Sequence, residues 1–149
     1  MAMAMWQPGR RLFSTAAILM ILAAAAHTAG NLPSTPNGPA EQHLIDTMKG
    51  YRIPKGFGMN PSTSDINSLL VFTMSVTFTA LGLINLLLAS TPETSARLLR
   101  RVAWANALWV GAFLILTSIY QIPPPLICAI AIELAVVASL LPLQRRNQG

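Results

Sequence analysis

Four stretches of this sequence, residues 12–30, 66–90, 102–120 and 126–143, run without a charged side chain except for Glu133 in the last. A bilayer core asks for about 20 consecutive apolar residues per helix, within a range of about 17 to 25, and all four stretches fall inside it. Strands fail on length, because a barrel strand takes about 10 residues of alternating polarity. Hydrocarbon supplies no water to the backbone, so a spanning segment must satisfy its own N–H and C=O groups, as a helix does. The pattern predicts an all-α fold: an up-down four-helix transmembrane bundle with a short outer cap helix, residues 1–149 forming a single integral membrane domain. Composition agrees. Only 10% of the residues are charged and 53% are hydrophobic, whereas a soluble domain carries about a quarter charged.

The basic residues set the expected orientation. Arg10 and Arg11 precede the first span, Arg97, Arg100 and Arg101 precede the third, and Arg145 and Arg146 follow the fourth. With an even number of spans these clusters share one face. They hold seven of the ten Lys and Arg residues, so that face is expected to be cytoplasmic, as is usual for a bacterial inner membrane. Both termini then lie inside, and segment 31–65 and the "QIPPP" turn (121–125) lie outside. The net charge of +5 does not point to nucleic acid, because the basic residues flank apolar runs and form no stripe interleaved with aromatics. Trp6 and Trp104 sit near the cytoplasmic boundary as anchors, and Trp109 lies deeper.

The opening stretch has a second reading. Arg10-Arg11, an apolar run and Ala24-Ala25-Ala26 also fit a secretory signal cut after Ala26, which would leave three spans in the same orientation. A long apolar run equally describes a retained helix, the reading taken here. Cys128 is the single cysteine, so no intrachain disulfide or cysteine-based metal cage is possible.

Helices in lipid associate where small residues four apart let backbones approach. Ala103, Ala107 and Gly111 in the third span, and Ala131, Ala135 and Ser139 in the fourth, predict a hairpin folded at "QIPPP" with Gly111 opposite Ala135. Asn85 and Asn106 lie at similar depths across the loop 90–101. Their amides are costly to leave unpaired in hydrocarbon, so an Asn85–Asn106 hydrogen bond is expected to fix the second and third spans together.

Segment 31–65 opens on "NLPSTPNGP", a turn-rich loop. "PAEQHLIDTMKGYR" then reads as a short helix with Pro39 at its start and Gly50 near its end. Leu44, Ile45 and Met48 make one apolar stripe on it, suited to the bundle mouth or the membrane interface. Ser62, Ser64 or Asp65 is placed to cap the second span. A connection of this length in a compact domain is usually functional or disordered, and here it is expected to cover something.

Glu133 is the strongest single polar signal. A carboxylate in mid-span costs about 2.5–3.5 kcal/mol on insertion scales. Its position predicts that it points away from the Ala131–Ala135 stripe, towards the first span or another protein. His27, near the end of the first span, is the one in-span imidazole and a candidate hydrogen-bond partner for Glu133. Thr73, Ser75 and Thr77 are alternative partners and, with His43 in the outer segment, candidate contacts for a ligand or partner. His27 and His43 are the only histidines and lack helical ligand spacing, so no metal site is expected. No phosphate loop, nucleophile elbow or paired-carboxylate motif occurs, and no cofactor is called for.

"HTAG" (27–30) closing the first helix, and "MKGYRIPKGFGMNPSTSDINSLL" (48–70) leading into the second, resemble a family of small bacterial four-span membrane proteins with no assigned activity. His27, Gly30, Gly58, Ser62 and Asp65 are the matching positions, and the resemblance implies topology only. The functional expectation is a non-catalytic membrane module binding a lipophilic ligand or a membrane protein partner, which includes a second copy of itself. The alternative is a membrane-embedded enzyme acting on a lipid or quinone-like substrate, with His27 and Glu133 as acid and base. A proton-coupled carrier is a third.

Overall fold

A computed structural model describes residues 8–54, 59–120 and 123–145. Of the positions named above, Trp6, Gly58, Gln121, Ile122 and Arg146 lie outside the described residues. Five helices follow one another: α1 (Pro8–Gly30), α2 (Pro39–Gly50), α3 (Thr63–Ser90), α4 (Ala96–Ile119) and α5 (Pro123–Arg145). Four of them, α1, α3, α4 and α5, are long and apolar enough to cross a membrane, and α2 is the short helix between the first two. The protein is a small all-α membrane bundle.

The helices reach beyond the apolar runs for local reasons. Pro8 suits a first helical turn, and the arginines after it are good helix formers. Three prolines open α5, where their missing N–H groups forfeit no intrahelical bond. At α3 the predicted cap is a reciprocal box: Ser62 Oγ accepts from Asp65 N at 3.1 Å, and Asp65 Oδ2 accepts from Ser62 N at 2.8 Å. Ser95 Oγ caps α4 by accepting from Leu98 N at 3.2 Å. Gly38, just before α2, has φ 139° and ψ 179°, a region essentially closed to residues with a Cβ.

Helix α1 is the hub. It packs along both α3 and α5, α4 packs on α5, and α3 and α4 meet only sparsely. Helices α1 and α3 approach closely at Gly82. A Cβ there would lie 2.8 Å from Ala17 O and 2.6 Å from Ile21 Cγ1, so only glycine fits the observed spacing. The central core joins Met20, Phe78, Val110, Ile132 and Val136, and a second cluster joins Phe13, Ala89, Leu99, Ala103 and Leu140 near the arginine end. Where α3 and α4 diverge, aromatic rings bridge them. Phe78 meets Trp109 edge-on at 4.8 Å and Phe113 at 5.4 Å between centroids.

The arginine end is locked by a residue of α1. The Arg10 guanidinium, 6% exposed, donates to Ala89 O at 3.0 Å, Thr91 O at 2.9 Å, Pro92 O at 3.3 Å and also Thr94 O. It thereby satisfies carbonyls at the C-terminus of α3, where the helix dipole favours a cation. The outward surface is apolar. No more than 28% of any spanning window is buried, and Leu22, Phe72, Leu83, Leu108, Ile115 and Leu134 all point outward. A soluble monomer rarely shows apolar area on that scale, whereas hydrocarbon accepts it.

Three packing expectations are corrected. Asn85 and Asn106 are both buried but not bonded to each other. Asn85 Nδ2 faces Met20 Sδ at 3.6 Å, and Asn106 Nδ2 has no partner among the described residues. The reason is that α3 pairs with α1 instead of α4. At Gly111 the atom within 4 Å of a would-be Cβ is Glu133 Oε1, at 3.9 Å, and not part of Ala135. Glu133 Oε1 therefore lies beside α4, with the side chain half-exposed. Ala131 is exposed and Ala135 half-buried, while Ser139 is buried, because α5 turns its bulkier Ile132 and Val136 to the core.

Candidate functional site

A cavity of about 490 Å³ opens in the half of the bundle away from Arg10, and all four spanning helices line it. Helix α1 contributes Ala23, Ala24, Ala26, His27 and Gly30, α3 contributes Val71, Met74, Ser75 and Phe78, α4 contributes Phe113 and Thr117, and α5 contributes Pro124, Pro125 and Cys128. Asn31, just past α1, completes the wall. The cavity exists because the run Ala23–Ala26 withdraws side-chain volume where Met20, one turn earlier, still fills the core. Phe78 and Phe113, in mutual edge contact, form its inner boundary. Pockets of about 300–1,000 Å³ are the usual size for one small ligand.

Depth follows from the Gly82 contact. With about 1.5 Å of rise per residue, antiparallel pairing from Gly82 against Ala17 and Ile21 brings Gly30 level with Val71. His27 and Ser75 then sit roughly 5 and 6 Å below that rim, on neighbouring helices at nearly equal depth. The first two turns of α3, from Thr63, project roughly 12 Å beyond α1.

Most polar groups on the wall are already engaged. Thr117 Oγ1 donates within its own helix, to Phe113 O at 3.1 Å or Leu114 O at 3.0 Å, and Asn31 Nδ2 donates to His27 O at 2.7 Å. Ser75 differs. Its residue is 7% exposed, and its Oγ has no hydrogen-bond partner among the described residues. The half-buried His27 ring stands on the same wall. A buried hydroxyl left unbonded costs about 1–3 kcal/mol, so Ser75 is an unmet hydrogen-bonding group on a cavity wall. Among the described residues, the lining includes no Lys, Arg, Asp or Glu.

The remaining sequence candidates are dispersed. Glu133 is half-buried with Oε2 unpartnered, but it does not line the cavity. Thr73 is exposed, and Thr77 donates to Thr73 O at 2.8 Å within α3. His43 is exposed on α2, where Thr47 Oγ1 lies 3.2 Å from its Nδ1. Helix α2 has no buried residue, packs against α3 and contributes nothing to the cavity lining. After it the chain folds back on itself: Ile53 N donates to Pro61 O at 2.9 Å and Thr63 N to Tyr51 O at 3.0 Å. An exposed Arg52–Asp65 ion pair at 3.6 Å stands beside that bridge. Among the described residues, no three His, Cys, Asp or Glu side chains gather as a metal site would need.

Sequence reasoning singled out His27 and Ser75 but did not bring them to one cavity, and it missed Cys128 and Pro124 as wall residues. The usable signal was the four-alanine run, which thins one end of a helix otherwise built from larger side chains. Comparison with known protein families, curated proteins and solved structures finds no match.

Proposed function

We propose that this small integral membrane protein binds one lipophilic molecule in the cavity between the ends of its four spans. The observation that carries the reading is a 490 Å³ space walled by small and apolar side chains, with Ser75 Oγ unsatisfied on its wall. A packed bundle does not leave such a volume without reason, since interiors approach the density of organic crystals. An acid–base enzyme built on His27 and Glu133 would need both groups on one wall, and Glu133 is not on this one. The binding reading therefore stands first.

We also infer that the cavity opens on the outer side of a bacterial inner membrane, with both termini cytoplasmic. The arginine distribution supports this orientation. Reporter fusions at position 45 and after position 149 test it, and activity of a periplasm-dependent reporter only at position 45 is the expected result.

Native mass spectrometry after mild-detergent purification tests the binding. The wild-type chain should carry one lipophilic adduct, and Ala23→Leu, which fills the cavity, should lose it while remaining monodisperse. A bare wild-type chain, or equal adducts on both proteins, would refute the reading.

A further inference from the structure

The cavity's polar equipment restricts the head group it accepts. We propose that the ligand is an uncharged amphiphile with a carbonyl-bearing head, whose oxygen takes a hydrogen bond from Ser75 Oγ and reaches the His27 imidazole. This inference rests on the binding reading above.

Three observations lead to it. Ser75 is more than nine-tenths buried, lies on the wall and has no partner for its hydroxyl among the described residues. A serine hydroxyl donates one hydrogen bond, and a carbonyl oxygen is the simplest group to receive it in an otherwise apolar space. His27 lines the same cavity at nearly the same depth on the neighbouring helix. Finally, no carboxylate, lysine or arginine lines the space among the described residues. A phosphate, carboxylate or quaternary ammonium head would enter low dielectric with no permanent counter-charge among the described wall residues, which is strongly unfavourable. The volume suits one ring or one chain, such as a quinone ring or the head and upper chain of a monoacylglycerol. Both offer a neutral carbonyl.

Cys128 supplies the readout, because the single thiol of the chain lies on the cavity wall. The full-length protein, exchanged extensively into fresh detergent, is labelled with a maleimide in the presence of one of five decyl probes. These are a fully substituted decyl benzoquinone, glycerol monodecanoate, ionised decanoate at pH 8, decyltrimethylammonium and decane. We expect the first two, or one of them, to protect Cys128 at concentrations at least tenfold below the other three. The one that protects identifies the source of the carbonyl. Ser75→Ala should raise the protecting concentration about fivefold to tenfold, the worth of one hydrogen bond, and leave decane unchanged. Equal protection by a charged probe, or an unaltered Ser75→Ala variant, overturns the head-group assignment. Protection by decane as strong as by the neutral carbonyl probes also overturns it, while leaving lipophile binding intact. Protection by none of the probes overturns both. The comparison among probes uses wild-type protein, so misfolding of a variant cannot decide it.

Discussion

Replacing Gly82 with alanine tests whether the α1–α3 contact organises this bundle. The new methyl carbon would stand 2.6 Å from Ile21 Cγ1 and 2.8 Å from Ala17 O, whereas non-bonded carbon atoms settle at about 3.5–4.0 Å. Ile21 has little room to turn aside, since a β-branched side chain in a helix holds essentially one χ1 rotamer. The Ala17 oxygen belongs to the backbone and moves only with α1. The two helices must therefore separate by several tenths of an ångström, loosening contacts along both. Overpacking of this kind costs about 1–3 kcal/mol. One of the two clashes is with backbone, which puts this site in the upper part of that range, about 2–3 kcal/mol; alanine's helix propensity returns about 1 kcal/mol relative to glycine, leaving a net loss of about 1–2 kcal/mol. Circular dichroism during a titration from mild detergent into sodium dodecyl sulfate measures it, with Gly50→Ala as control because nothing stands within 4 Å of that position. A Gly82→Ala protein as stable as wild type would refute the close-approach argument.

The Arg10→Met variant should lose about 2–3 kcal/mol in the same titration, since it removes a charge-assisted donor to four carbonyls; Arg10→Lys should recover part of the loss by keeping the charge. Asn106→Leu should be neutral or stabilising, because the buried Nδ2 it removes has no partner among the described residues, and a loss above about 1 kcal/mol would revive an interhelical role for that amide. Ser62→Ala should cost about 1 kcal/mol by dissolving the capping box with Asp65, seen as faster amide exchange in the first turn of α3. Phe78→Ala should cost about 3–5 kcal/mol, because its ring bridges α3 to Trp109 and Phe113; an unchanged midpoint would show that this aromatic bridge carries no stability.

Apolar run length by itself determined the four spans, their helical state and their lipid-facing character, because hydrocarbon leaves the backbone no other way to satisfy its hydrogen bonds. Local chemistry likewise settled Pro39–Gly50 as a helix and Ser62 with Asp65 as a cap, since both depend on residues a few positions apart. Which helix faces which was decided only by tertiary packing. The sequence offers Asn85 and Asn106 to one another, yet the glycine at position 82 lets α3 close onto α1, and the amides separate. Glu133 turns towards Gly111 for a related reason: the core side of α5 is taken by Ile132 and Val136. The cavity belongs to the same class. His27, Ser75 and Cys128 lie on three helices far apart in the chain, and only the rotation of each helix, fixed by the bulkiest side chains below, turns all three towards one space.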